Sequence, residues 1–251
     1  RRTFANTIKY VLMGTSSNFG NMFSAAGASL FLSFLPMLPG QILLNNLLYD
    51  LSELTIPTDN VDEELLARPS QWDIRFIRRF MLLFGPISSI YDFLTFAVMI
   101  YGFDAGATLF RSGWFVESLA TQTLVIFLIR TRRIPFFHSR PSTPLLATTL
   151  ACAAVGVALP YSPLADLLGF TSLPLDFLAV LALMVVTYLA LVELGKYVFF
   201  TRLGGAARPL AIRPPHKERR IQRRAAGWST QKRFLPKRSG EARVHPPGAR
   251  P

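Results

Sequence analysis

Long apolar runs separated by short polar breaks fill the first 200 residues, and most are close to the length a helix needs to cross a bilayer. Runs near residues 12–35, 37–54, 77–101, 113–130, 143–160 and 176–200 predict six transmembrane helices, because about 20 residues at a rise of about 1.5 Å cover about 30 Å of hydrocarbon. The second run differs from the others. It is shorter and more polar and follows Pro36, Pro39 and Gly40, so it suits a place covered by protein or a wet cavity better than one facing lipid. The first run predicts a helix that outgrows the membrane. No proline interrupts it from Thr3 to Phe34, and a continuous helix there would measure about 48 Å. Its opening third, TFANTIKYVL, mixes polar and apolar residues like a stalk that docks on something cytosolic. The expected fold is therefore an all-α membrane protein with six transmembrane helices over residues 1–203. A tail over residues 204–251, rich in Arg, Pro, Gly and Ala, cannot bury a core and is expected to be disordered.

Polar residues inside these runs are the candidate chemistry, since polar side chains at bilayer depth are costly and mark ion or substrate paths. SSNFGN carries Asn18 and Asn21, three apart; NNLLYD carries Asn45, Asn46 and Asp50, the last two four apart. Either spacing puts both members of a pair on one helical face. If the first two helices face each other, amide oxygens and one carboxylate converge. That all-oxygen set suits a hard cation, and with one carboxylate it suits a partly hydrated ion better than a stripped one. Imidazole is absent from these runs and Cys152 is the single cysteine, which argues against zinc or copper. The same amides are also able to hydrogen-bond helix to helix, with no ion involved. Asp92, Glu117 and Gln122 lie in later runs and are candidate further ligands, an access path, or neutralised packing residues. Glu193 and Lys196 are expected to pair at a spacing of three, and Tyr101, Trp114 and Tyr197 to anchor at the membrane interfaces.

Charge sets orientation and excludes one class of partner. The formal charge is +12, yet residues 1–200 hold 13 Lys or Arg against 13 Asp or Glu, so the whole excess lies in the tail. Nucleic-acid binding by the main body gains no support. With the N-terminus in the cytosol, every basic residue except Arg111 falls on the inner side, as the positive-inside rule requires. Both termini are then cytoplasmic, and the KERRIQRR run of the tail is placed to meet anionic lipids. GxxxxGK[ST], GxSxG, HExxH and CxxC motifs are all absent, so no catalytic residue is expected.

Several longer segments carry a resemblance. RRTFANTIKY, SSNFGN, FLPMLPGQILLNNLLYDLSEL, RPSQWD, GPISSIYDFLTF, SGWFVESLATQTLVIFLIRTRRIPF and SRPSTPLL, in this order, resemble the C-terminal membrane half of magnesium-transporting P-type ATPases. The resemblance covers residues 1 to about 203 and implies that the six helices are membrane helices five to ten of a pump in the plasma membrane. It implies Mg2+ as the transported ion, with Asn18, Asn21, Asn46, Asp50 and Gln122 as its ligands. It further implies that ATP acts only through actuator, phosphorylation and nucleotide-binding domains that would precede residue 1, since DKTGT, TGES and GDGxND are absent here. The chain is thus expected to start partway through a longer polypeptide. A stand-alone six-helix scaffold or regulator, and an inactive pump remnant, are the alternatives.

Overall fold

The computed structural model describes residues 1–67 and 73–202. Residues 203–251, with the KERRIQRR run expected to meet anionic lipids, and 68–72, most of RPSQWD, lie outside the described residues. The elements are α1 (Arg2–Ala28), α2 (Pro39–Glu53), α3 (Glu63–Ala67), α4 (Ile74–Ala97), α5 (Ala107–Ile129), α6 (Thr143–Ala158), α7 (Ala165–Leu168) and α8 (Leu175–Thr201). Among the described residues these helices are joined by turns and one isolated bridge between Pro135 and Ser139.

Four helical stretches are long and apolar enough to cross a bilayer: Ile74–Gly102, Ala107–Ile129, Thr143–Tyr161 and Leu175–Thr201. Helix α2, at 15 residues, is only about 22 Å long, and α1 is too polar to join the four. The α1 helix also stops earlier than its lack of proline predicts. After Ala28 the backbone tightens, with Leu30 N–H donating to Gly27 O and Phe31 N–H to Ala28 O, while the Ser29 hydroxyl bonds back to Ala26 O at 2.7 Å. Pro36 then biases Leu35 away from helical geometry. Helix α2 starts at Pro39, whose missing N–H costs nothing in the first turn. Gln41 secures that start: its Oε1 accepts from Leu38 N–H at 3.0 Å, and its Nε2 donates to Leu168 O and Gly169 O, each at 3.0 Å. The receiving turn closes α7 with Gly169 at φ +71°, a left-handed position that favours glycine.

The centre of the bundle is α5, which packs against α1, α2, α4, α6 and α8. It is 89% buried across its most apolar window, and this cover lets it carry Ser112, Glu117, Ser118, Thr121, Gln122 and Thr123 without exposing them to lipid. Several of its hydroxyls bond back to the helix, as Thr121 does to Glu117 O at 3.0 Å and Thr123 to Leu119 O at 2.7 Å. Helix α1 lies along α4, and glycines open a crossing between them. A Cβ on Gly20 would stand 3.1 Å from Gly85 O and 3.2 Å from Ser88 Cβ. The Ser89 hydroxyl fills the same crossing, 3.1 Å from Gly20 O and 3.2 Å from Gly85 O. Pro86 follows immediately inside α4 and removes one rung of its ladder, and a π turn over Val98–Gly102 ends that helix.

Candidate cation site

Helices α1 and α2 meet through side chains at two levels. A Cβ on Gly14 would lie 3.9 Å from Glu53 Oε2, and Ser17 stands beside the Tyr49 hydroxyl. Tyr49 itself is buried and donates to Glu53 Oε1 at 2.5 Å.

The five residues singled out by sequence divide into two groups. Asn21 and Gln122 are brought together by Ser118 of α5. The Ser118 hydroxyl donates to Asn21 Oδ1 at 3.5 Å and receives Gln122 Nε2–H at 2.5 Å. Gln122 Oε1 and, on α2, Asn45 Oδ1 are buried and have no donor. Buried amide oxygens of this kind cost free energy unless something positive or protic meets them. Asn18 and Asp50 are exposed, and Asn46 is half-buried. Asp50 borders a groove of about 370 Å³ that Thr3, Asn6, Thr7 and Tyr10 of α1 share with Glu53 and Leu54. Among the described residues no hydrogen bond joins Asn18, Asn46 and Asp50 to one another, and no group of three or more His, Cys, Asp or Glu forms a metal cluster.

A second polar centre lies deeper, between α1, α4 and α5. Asp92 is 1% exposed; its Oδ2 accepts from Ser24 at 2.6 Å and its Oδ1 from Trp114 Nε1–H at 2.8 Å. Glu117 lies against it. Trp114, expected at a membrane interface, is buried in the core instead, because its indole N–H serves Asp92 while its ring packs edge-on against Phe96. Tyr101 and Tyr197 are exposed as expected of anchors.

A third centre was not legible beforehand. Asp59, in the loop after α2, is buried between Lys9 Nζ at 2.7 Å and Arg130 Nε at 2.8 Å. Its Oδ1 also accepts from Ser142 N–H at 3.1 Å, and Asn6 Nδ2 donates to Asp59 O at 3.1 Å. Arg130 extends the knot to Ser139 O and Arg140 O, and Asp62 accepts from Thr131 and Ser139. Burial lowers the Lys9 pKa from the ordinary lysine value, while the Asp59 carboxylate opposes that shift. Nearby, Lys196 pairs with Glu193 at 2.8 Å and donates to Leu128 O and Arg133 O. The knot thus ties the first third of α1 to the loops that follow α2 and α5. The sequence signal for it was an acidic stretch, TDNVDEE, a few residues after the end of α2.

A bundle of apolar helices around one nearly enclosed, polar-lined helix defines a polytopic membrane protein with an intramembrane polar site. The family described as cation transporting ATPase, C-terminus, matches residues 34–198, and the chain belongs to it. Over 208 residues, 81% of the chain, it is 51% identical to "Magnesium-transporting ATPase, P-type 1" of Salmonella typhimurium strain 14028s and 50% identical to the protein of that name from Escherichia coli K12. A further Salmonella typhimurium LT2 protein of the same name is 46% identical over the same length. The matched stretch is 23% of the length of each of these relatives.

Proposed function

We propose that this chain is the ion-carrying membrane part of an ATP-driven magnesium pump of the plasma membrane, with α1, α2, α4, α5, α6 and α8 as six spans and both termini in the cytosol. The observation that carries this reading is the identity of about half of all positions over 208 residues with magnesium-transporting ATPases. The distribution of basic residues supports the orientation.

In this reading Asn18, Asn21, Asn46, Asp50 and Gln122 supply oxygens to Mg2+. Asn21 and Gln122 already share Ser118, and Asn18 and Asp50 lie on exposed faces of α1 and α2, open to the remainder of a pump several times longer than the matched stretch. One carboxylate among amides leaves the ion most of its water, which suits a cation that dehydrates reluctantly. ATP chemistry belongs to the actuator, phosphorylation and nucleotide-binding domains that act with this part. Their motion reaches the site through α1, because the Asp59 knot makes its first third move with the loops flanking α2 and α5. Such motion drives transport only if the ion binds one state better than the other, and Asp50, exposed here, is the group whose surroundings would change most. The basic tail would add attraction to anionic headgroups.

Replacing the matching stretch of the E. coli relative by residues 1–202 and measuring magnesium uptake tests this. Uptake near that of the parent is expected. A chimera that inserts and hydrolyses ATP yet moves no magnesium would overturn the assignment.

A further inference from the structure

Asp92 of α4 and Glu117 of α5 are two acids buried to within 1% of full enclosure, and neither belongs to the ligand set above. Their carboxyls lie against each other. Asp92 has donors on both oxygens, Ser24 from α1 and Trp114 from α5. Glu117 Oε2 has none. Two ionised carboxylates are acceptors only and cannot bond to each other, and like charges in contact at low dielectric repel strongly. Among the described residues no Arg, Lys or His acts on either acid, and the other titratable group facing them is Tyr188 of α8, which itself neighbours Tyr91 of α4. Tyr188 and Tyr91 are themselves donors or acceptors and bring no positive charge. A metal ion fits poorly, because the Ser24 and Trp114 donors already point their hydrogens at Asp92 from both sides. A single proton fits well: placed on Glu117, it turns an acceptor facing an acceptor into a donor facing Asp92.

We propose that Asp92 and Glu117 form an intramembrane proton-binding site that holds one proton at neutral pH, with Glu117 as the donor and Asp92 as the threefold acceptor. The proton satisfies the orphaned Glu117 oxygen and leaves one negative charge, spread over hydrogen bonds from three groups. Because Ser24 belongs to α1, the site also joins the helix that carries Asn18 and Asn21 to the two helices behind it. The inference concerns the bundle itself and does not depend on the transport reading.

Infrared spectroscopy of the full 251-residue chain in lipid nanodiscs tests it. At neutral pH a protonated-carboxyl C=O component with the area of one group per chain is expected to be lost in Glu117→Gln and displaced in Asp92→Asn, where the proton's acceptor has changed. Glu53→Gln, which alters the separate Tyr49 pair, leaves that component in place. Absence of a protonated-carboxyl band in the unmodified chain would overturn the proposal. A band that neither loses area in Glu117→Gln nor moves in Asp92→Asn would do the same, and the Asp92→Asn spectrum decides if Glu117→Gln fails to fold.

Discussion

Trp114 and Asp92, on helices joined by a short turn, are linked by a 2.8 Å hydrogen bond from the indole Nε1–H to Oδ1. An aromatic that hydropathy assigns to the membrane surface is thereby held in the core, where it covers an acid that lipid would not tolerate. Trp114→Phe keeps a ring against Phe96 but removes the donor. Leaving a buried carboxyl short of one partner costs about 1–3 kcal/mol, and reversible unfolding in mixed micelles is expected to show a loss in that range. An unchanged stability would mean that Asp92 does not depend on the indole.

Asp59 is enclosed between two cations, and this asymmetry predicts a large effect. Asp59→Asn strands Lys9 and Arg130 as buried charges, and removing one partner of such a set costs about 3–5 kcal/mol. The same unfolding assay measures it. A loss below about 1 kcal/mol, the range of solvent-exposed pairs, would show that water already reaches the knot.

Lys9 gives the knot a pH signature. Burial places its folded pKa below that of free lysine, so between the two values the unfolded chain binds more protons than the folded one. Stability therefore rises with pH across that window and carries its full penalty below it. Comparing Lys9→Met with the parent isolates the effect: the parent is expected to gain stability relative to the variant as pH climbs. A relative loss would reverse the sign and refute the burial argument.

At the α1–α4 crossing, the space beside Gly20 is closed by Gly85 O and Ser88 Cβ. Gly20→Val forces the helices apart, an overpacking cost of about 1–3 kcal/mol, while also disturbing the Ser89 bond to Gly20 O. Cross-linking yields between cysteines placed at the exposed positions Phe23 and Ile90 would fall if the helices separate. Yields equal to those of the parent would show the crossing to be looser than drawn.

Hydropathy located the four strongly apolar helices to within a few residues, except that α5 begins six residues before the expected start, at Ala107. The early residues, ATLFRS, are amphipathic, and only packing against the other helices makes them helical. The end of α1 was misjudged because the absence of proline does not show where a helix runs out of partners. Ser29 and the turn after it decide that. Helical spacing offers shared faces but says nothing about which neighbour a face meets. Asn21 meets Ser118, whereas Asn18 is exposed and Asp50 borders the groove shared with the start of α1. The Asp59 knot is assembled from residues 9, 59, 130 and 142, and no local pattern links positions so far apart.

The central claim is that Asp50 and the neighbouring amides hold the transported ion, and ATP-driven magnesium uptake into proteoliposomes tests it most directly. The measurement compares the pump bearing this membrane part with its Asp50→Asn variant. Asp50 is exposed and among the described residues pairs with no buried cation, so the variant should insert and fold normally while losing at least about tenfold in uptake, the equivalent of about 1.4 kcal/mol of binding. Uptake by Asp50→Asn at the parent's rate and magnesium dependence would contradict the account.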